Sequence, residues 1–163
     1  MNRGMMKLLT FSLASMTTAL LLSVGLPAAQ AQTPAATATR RIPFNRTVPT
    51  TCGEKRIRLT GEFQAQYNVT RDASGETFVE GNIDADRIKG LGLTSRARYE
   101  AAGATHIESR GPSPISFNYV FNFALNKSGT TESLMGHVKF RINVNARGGV
   151  TTSVLDANID CTK

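Results

Sequence analysis

The chain predicts an all-β protein, an eight-stranded antiparallel up-and-down barrel, with a two-sheet β-sandwich as the alternative. Three observations carry that expectation. Apolar and polar residues alternate over long stretches, clusters of Gly, Asn, Asp and Ser separate those stretches, and beyond residue 31 no segment has a helical period. Successive strands joined by short turns form a meander, and a long meander closes into a barrel that leaves no exposed edge.

The first 31 residues stand apart. Arg3 and Lys7 precede an apolar stretch that peaks between Ala19 and Leu26, Pro27 breaks it, and Ala29-Gln30-Ala31 follows as a small-x-small cleavage site. This order of parts is that of a secretory signal peptide. Cleavage after Ala31 removes two of the 19 basic residues and lowers the net charge from +7 to +5. The expected location is therefore secreted or periplasmic, without an integral membrane segment after cleavage. Residues 32–40, rich in Thr, Ala and Pro, have no apolar periodicity and read as a flexible linker. Residues 41–163 are then a single β domain.

A short strand is expected over Ile42 to Val48. From Ile57 to Val69 the odd positions are apolar (Ile57, Leu59, Phe63, Ala65, Tyr67, Val69) except for Gly61, which marks a bend or bulge. Further strands are expected over Thr77 to Ile88, Leu93 to Ala101, Ala104 to Ser109, Ile115 to Asn126, Leu134 to Asn145 and Val150 to Cys161. The strongest apolar face belongs to Ile115, Phe117, Tyr119, Phe121, Phe123 and Leu125. Leu134, Val138, Phe140, Ile142 and Val144 match it across the turn at Asn126 to Gly129, so these two strands should centre the core. In the last strand the apolar set shifts from even to odd positions, which predicts a β-bulge near Val154 and Leu155.

Cys52 and Cys161 are the two cysteines, 109 positions apart in the exported part. An oxidising compartment favours joining them, and the wide spacing is that of a structural bridge tying the ends of the domain together. A catalytic redox pair would have the close Cys-x-x-Cys spacing, with two residues between its cysteines.

The remaining chemistry is sparse. Glu80, Asn82, Asp84 and Asp86 share a strand face, but Arg87 and Leu93 stand where a calcium loop needs its turn glycine and bidentate carboxylate. A turn at Gly90-Leu91-Gly92 would instead place Asp86 opposite Arg96 and Asp84 opposite Arg98, an ordinary cross-strand charge pattern. His106 and His137 lie on different strands; His106 shares a face with Glu108, yet no nucleophile is matched to either. With both cysteines committed, too few donors remain for zinc. No catalytic residues, metal or cofactor are expected.

Basic groups recur at Lys55-Arg56-x-Arg58, Arg96-x-Arg98 and Lys139-x-Arg141. On neighbouring strands they could bind a polyanion, but acidic residues are interspersed and the aromatics alternate into the core, so the reading is a solvated surface with no nucleic acid partner. An outer-membrane barrel would carry aromatic girdles, whereas this chain has no Trp and ends Cys161-Thr162-Lys163.

Several segments together resemble a group of uncharacterised secreted bacterial proteins of about this size. They are Pro43-Phe44, Cys52-Gly53-Glu54, Leu59-Thr60-Gly61-Glu62, the stretch from Gly90 to Tyr99, and Cys161. The resemblance implies a signal peptide and a single β domain, and brings no activity with it. In architecture the expected barrel also looks like lipocalins and the allene-oxide-cyclase and dirigent barrels, a likeness of fold that does not carry function.

The expected function is a non-catalytic binding module for a small apolar or amphipathic ligand. Phe63, Tyr67, Phe117, Tyr119, Phe121, Phe140 and Ile142 would line its pocket or, alternatively, fill its interior. The alternatives are a structural or interaction protein of the cell surface with a solid core, and a cyclase-like barrel enzyme.

Overall fold

The computed structural model describes residues 33–162. The signal-peptide reading of residues 1–31 lies outside them. Nine strands follow one another: β1 (Thr33–Pro49), β2 (Arg56–Arg71), β3 (Glu76–Asp84), β4 (Lys89–Gly92), β5 (Arg98–Ala102), β6 (Ala104–Pro112), β7 (Ile115–Lys127), β8 (Ser133–Val144) and β9 (Val150–Cys161). All belong to one antiparallel sheet, not to the two sheets of a sandwich. Among the described residues no helix is long and apolar enough to cross a membrane.

The sheet is not closed, and the expected eight-stranded barrel is corrected accordingly. β3 and β4 lie along the same side of β2, and β6 and β5 continue beside them, so the nine strands make seven passes. The chain runs straight on through Gly103, where two successive strands were expected. An odd number of passes leaves the first and last pointing the same way, so an antiparallel ladder cannot join them. β1 and β9 meet instead through one isolated parallel bridge, Thr50 to Ile159, and through Arg40 Nε and an Arg46 guanidinium N–H, which donate to the carbonyls of Val150 and Val154 at 2.9 and 3.2 Å. Cys52 and Cys161 stand at disulfide distance beside that seam, with Cα atoms 5.5 Å apart.

Residues 33–40, expected as a linker, lie in β1, whose pairing with β2 runs from Thr33 opposite Arg71 to Pro49 opposite Arg56. A chain lacking its own periodicity has here been captured by the free edge of a strongly patterned neighbour.

Gly61 lies opposite a bulge and is not itself bulged: five steps separate Asp84 from Lys89 where four separate Gln64 from Thr60, so the extra residue falls at 85–88, while the β1–β2 register runs unbroken past Gly61. The β2 register slips by one residue between its β3 and β4 partners, Gly61 has φ 132°, and a Cβ there would come within 2.1 Å of the Arg87 carbonyl. The β9 bulge falls where the phase shift placed it: Lys139 faces Asp156 while Phe140 faces Val154, which leaves Leu155 unpaired.

The interior is aromatic. Phe63 is fully buried and meets the rings of Phe44, Phe121, Phe123 and Phe140 edge to face, with centroids 5.3, 6.1, 5.7 and 5.2 Å away. Such pairs contribute about 0.5–1.5 kcal/mol each beyond area burial. β7 and β8 pair throughout, Phe121 against Val138 and Leu125 against Leu134, and supply much of this core.

Candidate functional site

Outward-facing positions of β2, β4 and β5 form two cross-strand rows. Arg58 faces Leu91, which faces Arg98; Thr60 faces Lys89, which faces Glu100. Adjacent strands lie ~4.8 Å apart, so the backbones carrying Arg58 and Arg98 are separated by roughly 10 Å, with Leu91 between them. These residues line a cleft of about 640 Å³. Arg56 lies two positions before Arg58 on the same exposed face, and Arg96 projects from the turn that precedes β5.

This register corrects the expected charge pairing. Gly90 and Gly92 lie within β4, and the chain reverses at Leu93 to Ala97, closed by Gly92 N–H donating to Ala97 O at 2.8 Å. Asp84 therefore faces Ala104, not Arg98, and Asp86 sits in the bend between β3 and β4. The acids and bases that were expected to alternate across one hairpin lie on separate parts of the sheet. Among the described residues, Arg56, Arg58, Lys89, Arg96 and Arg98 form no ion pair. Elsewhere Arg87 pairs with Glu62 at 3.0 Å, Arg110 with Glu76 at 2.6 Å and Lys127 with Glu132 at 2.6 Å.

The basic cleft is built on a held scaffold. Asn45 Oδ1 accepts from Nε and one terminal nitrogen of Arg58, both at 3.3 Å. Glu54, only 7% exposed, accepts from the backbone N–H groups of Thr94 and Ser95 at 2.9 and 3.0 Å and from the Ser95 hydroxyl. The Ser95 hydroxyl, with those two amides, holds the Glu54 carboxyl down at about 2. Glu54 thus fixes the turn that carries Arg96 and leads into Arg98. Gly92 makes room for it, because a Cβ there would come within 2.5 Å of Glu54 Oε2. Arg96 has φ 59°, a left-handed conformation that ordinarily selects glycine.

Of the seven residues expected to line or fill the interior, Phe63, Tyr67, Phe121, Phe140 and Ile142 are fully buried, while Phe117 and Tyr119 are half-buried where β7 runs beside β6. The Tyr67 hydroxyl shares a 2.8 Å hydrogen bond with Thr152 Oγ1, and burial pushes its pKa up. Tyr119 ties β7 to β6, bonding Thr105 Oγ1 at 2.7 Å and donating to His106 O at 3.2 Å.

The histidines lie apart. His106 Nε2 is 3.0 Å from Glu108 on an exposed face, and His137 bridges Asn122 Oδ1 at 2.7 Å and Asp160 Oδ2 at 3.2 Å. Among the described residues no three His, Cys, Asp or Glu side chains gather as metal ligands. Two of the three basic groups meet at the cleft. The third is remote on β8, where Lys139 faces Asp156 and Arg141 donates to Asn118 Oδ1 at 3.4 Å. Sequence reasoning missed the role of Glu54, whose partners lie 40 and 41 positions away. Its one signal was a lone carboxylate beside Cys52.

Compared with family models, with curated proteins and with solved structures, the chain matches none.

Proposed function

We propose that the protein is an exported, non-catalytic interaction module with a filled interior, which recognises its partner on the outer surface of the sheet. The observation that carries this reading is the packing around Phe63: four rings close on it edge to face, and five of the seven side chains expected to line a pocket are fully buried. The β1–β9 seam, held by Arg40, Arg46 and the cysteine pair, lets an open sheet work as a barrel. A cyclase-like reaction would need polar side chains turned into a cavity. The buried polar side chains among the described residues include Glu54, engaged by Thr94 and Ser95, Tyr67, whose hydroxyl bonds Thr152, and Thr77, whose hydroxyl has no partner. The cysteine pair at disulfide distance fits an oxidising compartment, and so supports export.

A second reading, with a small apolar ligand, draws on Phe117 and Tyr119, whose half-buried rings line the margin between β6 and β7. Titration with a fluorescent fatty-acid probe separates the two. The filled-interior reading expects no saturable uptake. Saturable one-to-one binding that is lost in Phe117→Ala would replace it with the apolar-ligand reading. Export is checked by the mass of the protein recovered outside the cytoplasm, expected to begin at Gln32.

A further inference from the structure

We propose that the cleft between β2, β4 and β5 binds an acidic polysaccharide, with Arg58 and Arg98 gripping successive acidic groups and Lys89 standing between their strands. This goes beyond the interaction-module reading and does not require the interior to be filled.

Four observations bear on it. Arg58, Lys89 and Arg98 line the cleft, Arg56 lies beside Arg58 on the same face, and none of the four forms an ion pair among the described residues. Cationic side chains left unpaired around a concave surface focus a positive potential outward. Arginines whose backbones lie roughly 10 Å apart, on strands separated by a third, suit two separate acidic groups on one chain better than a single small anion.

The site is also held in place at a cost. Asn45 orients Arg58, Glu54 fastens the turn before Arg98, and Arg96 keeps a backbone conformation that glycine would adopt without strain.

The other groups in the cleft choose among polyanions. Glu100 can accept hydrogen bonds from sugar hydroxyls, and Thr60 and Ser128 can exchange them, contacts that a bare polyphosphate has no hydroxyls to use. The one aromatic of the lining, Tyr99, is 5% exposed and offers no face for a nucleobase to stack on.

The test is binding of the secreted chain to a size-defined heparin oligosaccharide, with neutral dextran, a single-stranded oligonucleotide of matched charge and tripolyphosphate as comparisons. Circular dichroism verifies that each variant is folded. The heparin fragment should bind, weaken as salt rises, and lose about tenfold or more in affinity in both Arg58→Gln and Arg98→Gln, the scale of one charge-assisted contact. The double change Lys139→Gln/Arg141→Gln on β8 should leave it unchanged. Glu100→Gln, which removes a carboxylate from the cleft, should tighten the heparin fragment. No heparin binding, an equal loss in the β8 variant, or an oligonucleotide or tripolyphosphate bound as tightly as the heparin fragment would each overturn the proposal.

Discussion

Two halves of the same pair of passes differ in charge. Along β3 and β6 the wet face carries Glu76, Glu80, Asp84 and Glu108, with Arg110 drawn onto Glu76 and 3.7 Å from Asp72. Along β4, β5 and the neighbouring part of β2 it carries Arg56, Arg58, Lys89 and Arg98, with Glu100 as the carboxylate of that stretch. The division falls where one extra residue at 85–88, between β3 and β4, shifts the ladders on both sides by one position, opposite Gly61 in β2 and beside Gly103 between β5 and β6. Register thus decides whether a chain of mixed charge has a neutral surface or two opposed patches. A hairpin turning at Gly90 to Gly92 would have cancelled them. A reversal at Leu93 to Ala97 separates them.

The comparison can be broken at several levels. Phe63→Ala removes the ring beneath both halves and should cost about 3–5 kcal/mol in denaturant unfolding, with the halves lost together. Separate transitions for the two halves would mean that they do not share a core. Replacing both cysteines, Cys52→Ser with Cys161→Ser, should cost about 2–4 kcal/mol. The loss should appear first as faster amide exchange along β1 and β9, since the pair sits beside their seam.

Glu54 sharpens the contrast, because it serves the basic half. Its carboxyl titrates at about 2 in the folded protein, below an ordinary value of 4.5, so its stabilisation is present above pH 4.5 and is lost as the pH falls toward 2. Over that window the amides of Thr94 and Ser95 should lose exchange protection while the β3–β6 ladder keeps its own. Gly92→Ala, by crowding Glu54, should give the same pattern at neutral pH. Arg96→Gly should stabilise the fold by up to about 1 kcal/mol by relieving the left-handed backbone. It should also weaken heparin binding, an opposition that a merely structural arginine would not produce.

The sequence revealed the long-range periodicities better than the turns. β2, β7, β8 and β9 follow from alternation because a half-buried strand needs it, and the Leu155 bulge was visible as a break in phase, whereas the apolar phase of β2 runs unbroken past Gly61. The register of the charged hairpin was not. Gly90 and Gly92 look like a turn, but they are glycine because of what packs on them: a Cβ at Gly90 would meet Tyr99 Cβ at 3.0 Å, and one at Gly92 would meet Glu54. The true turn holds no glycine, and an arginine occupies its left-handed position. Glu54 was illegible for a related reason, since two of its partners are backbone amides, which leave no trace in side-chain identity, and the third is a serine hydroxyl 41 positions away. The cleft followed from the register, so missing one hid the other.

The most direct test is the set of cross-strand NOEs in this hairpin. The account predicts contacts between Leu91 and Arg98 and between Asp84 and Ala104. Contacts between Asp84 and Arg98 would contradict it, because they would restore the charge pairing and remove the unpaired basic cleft.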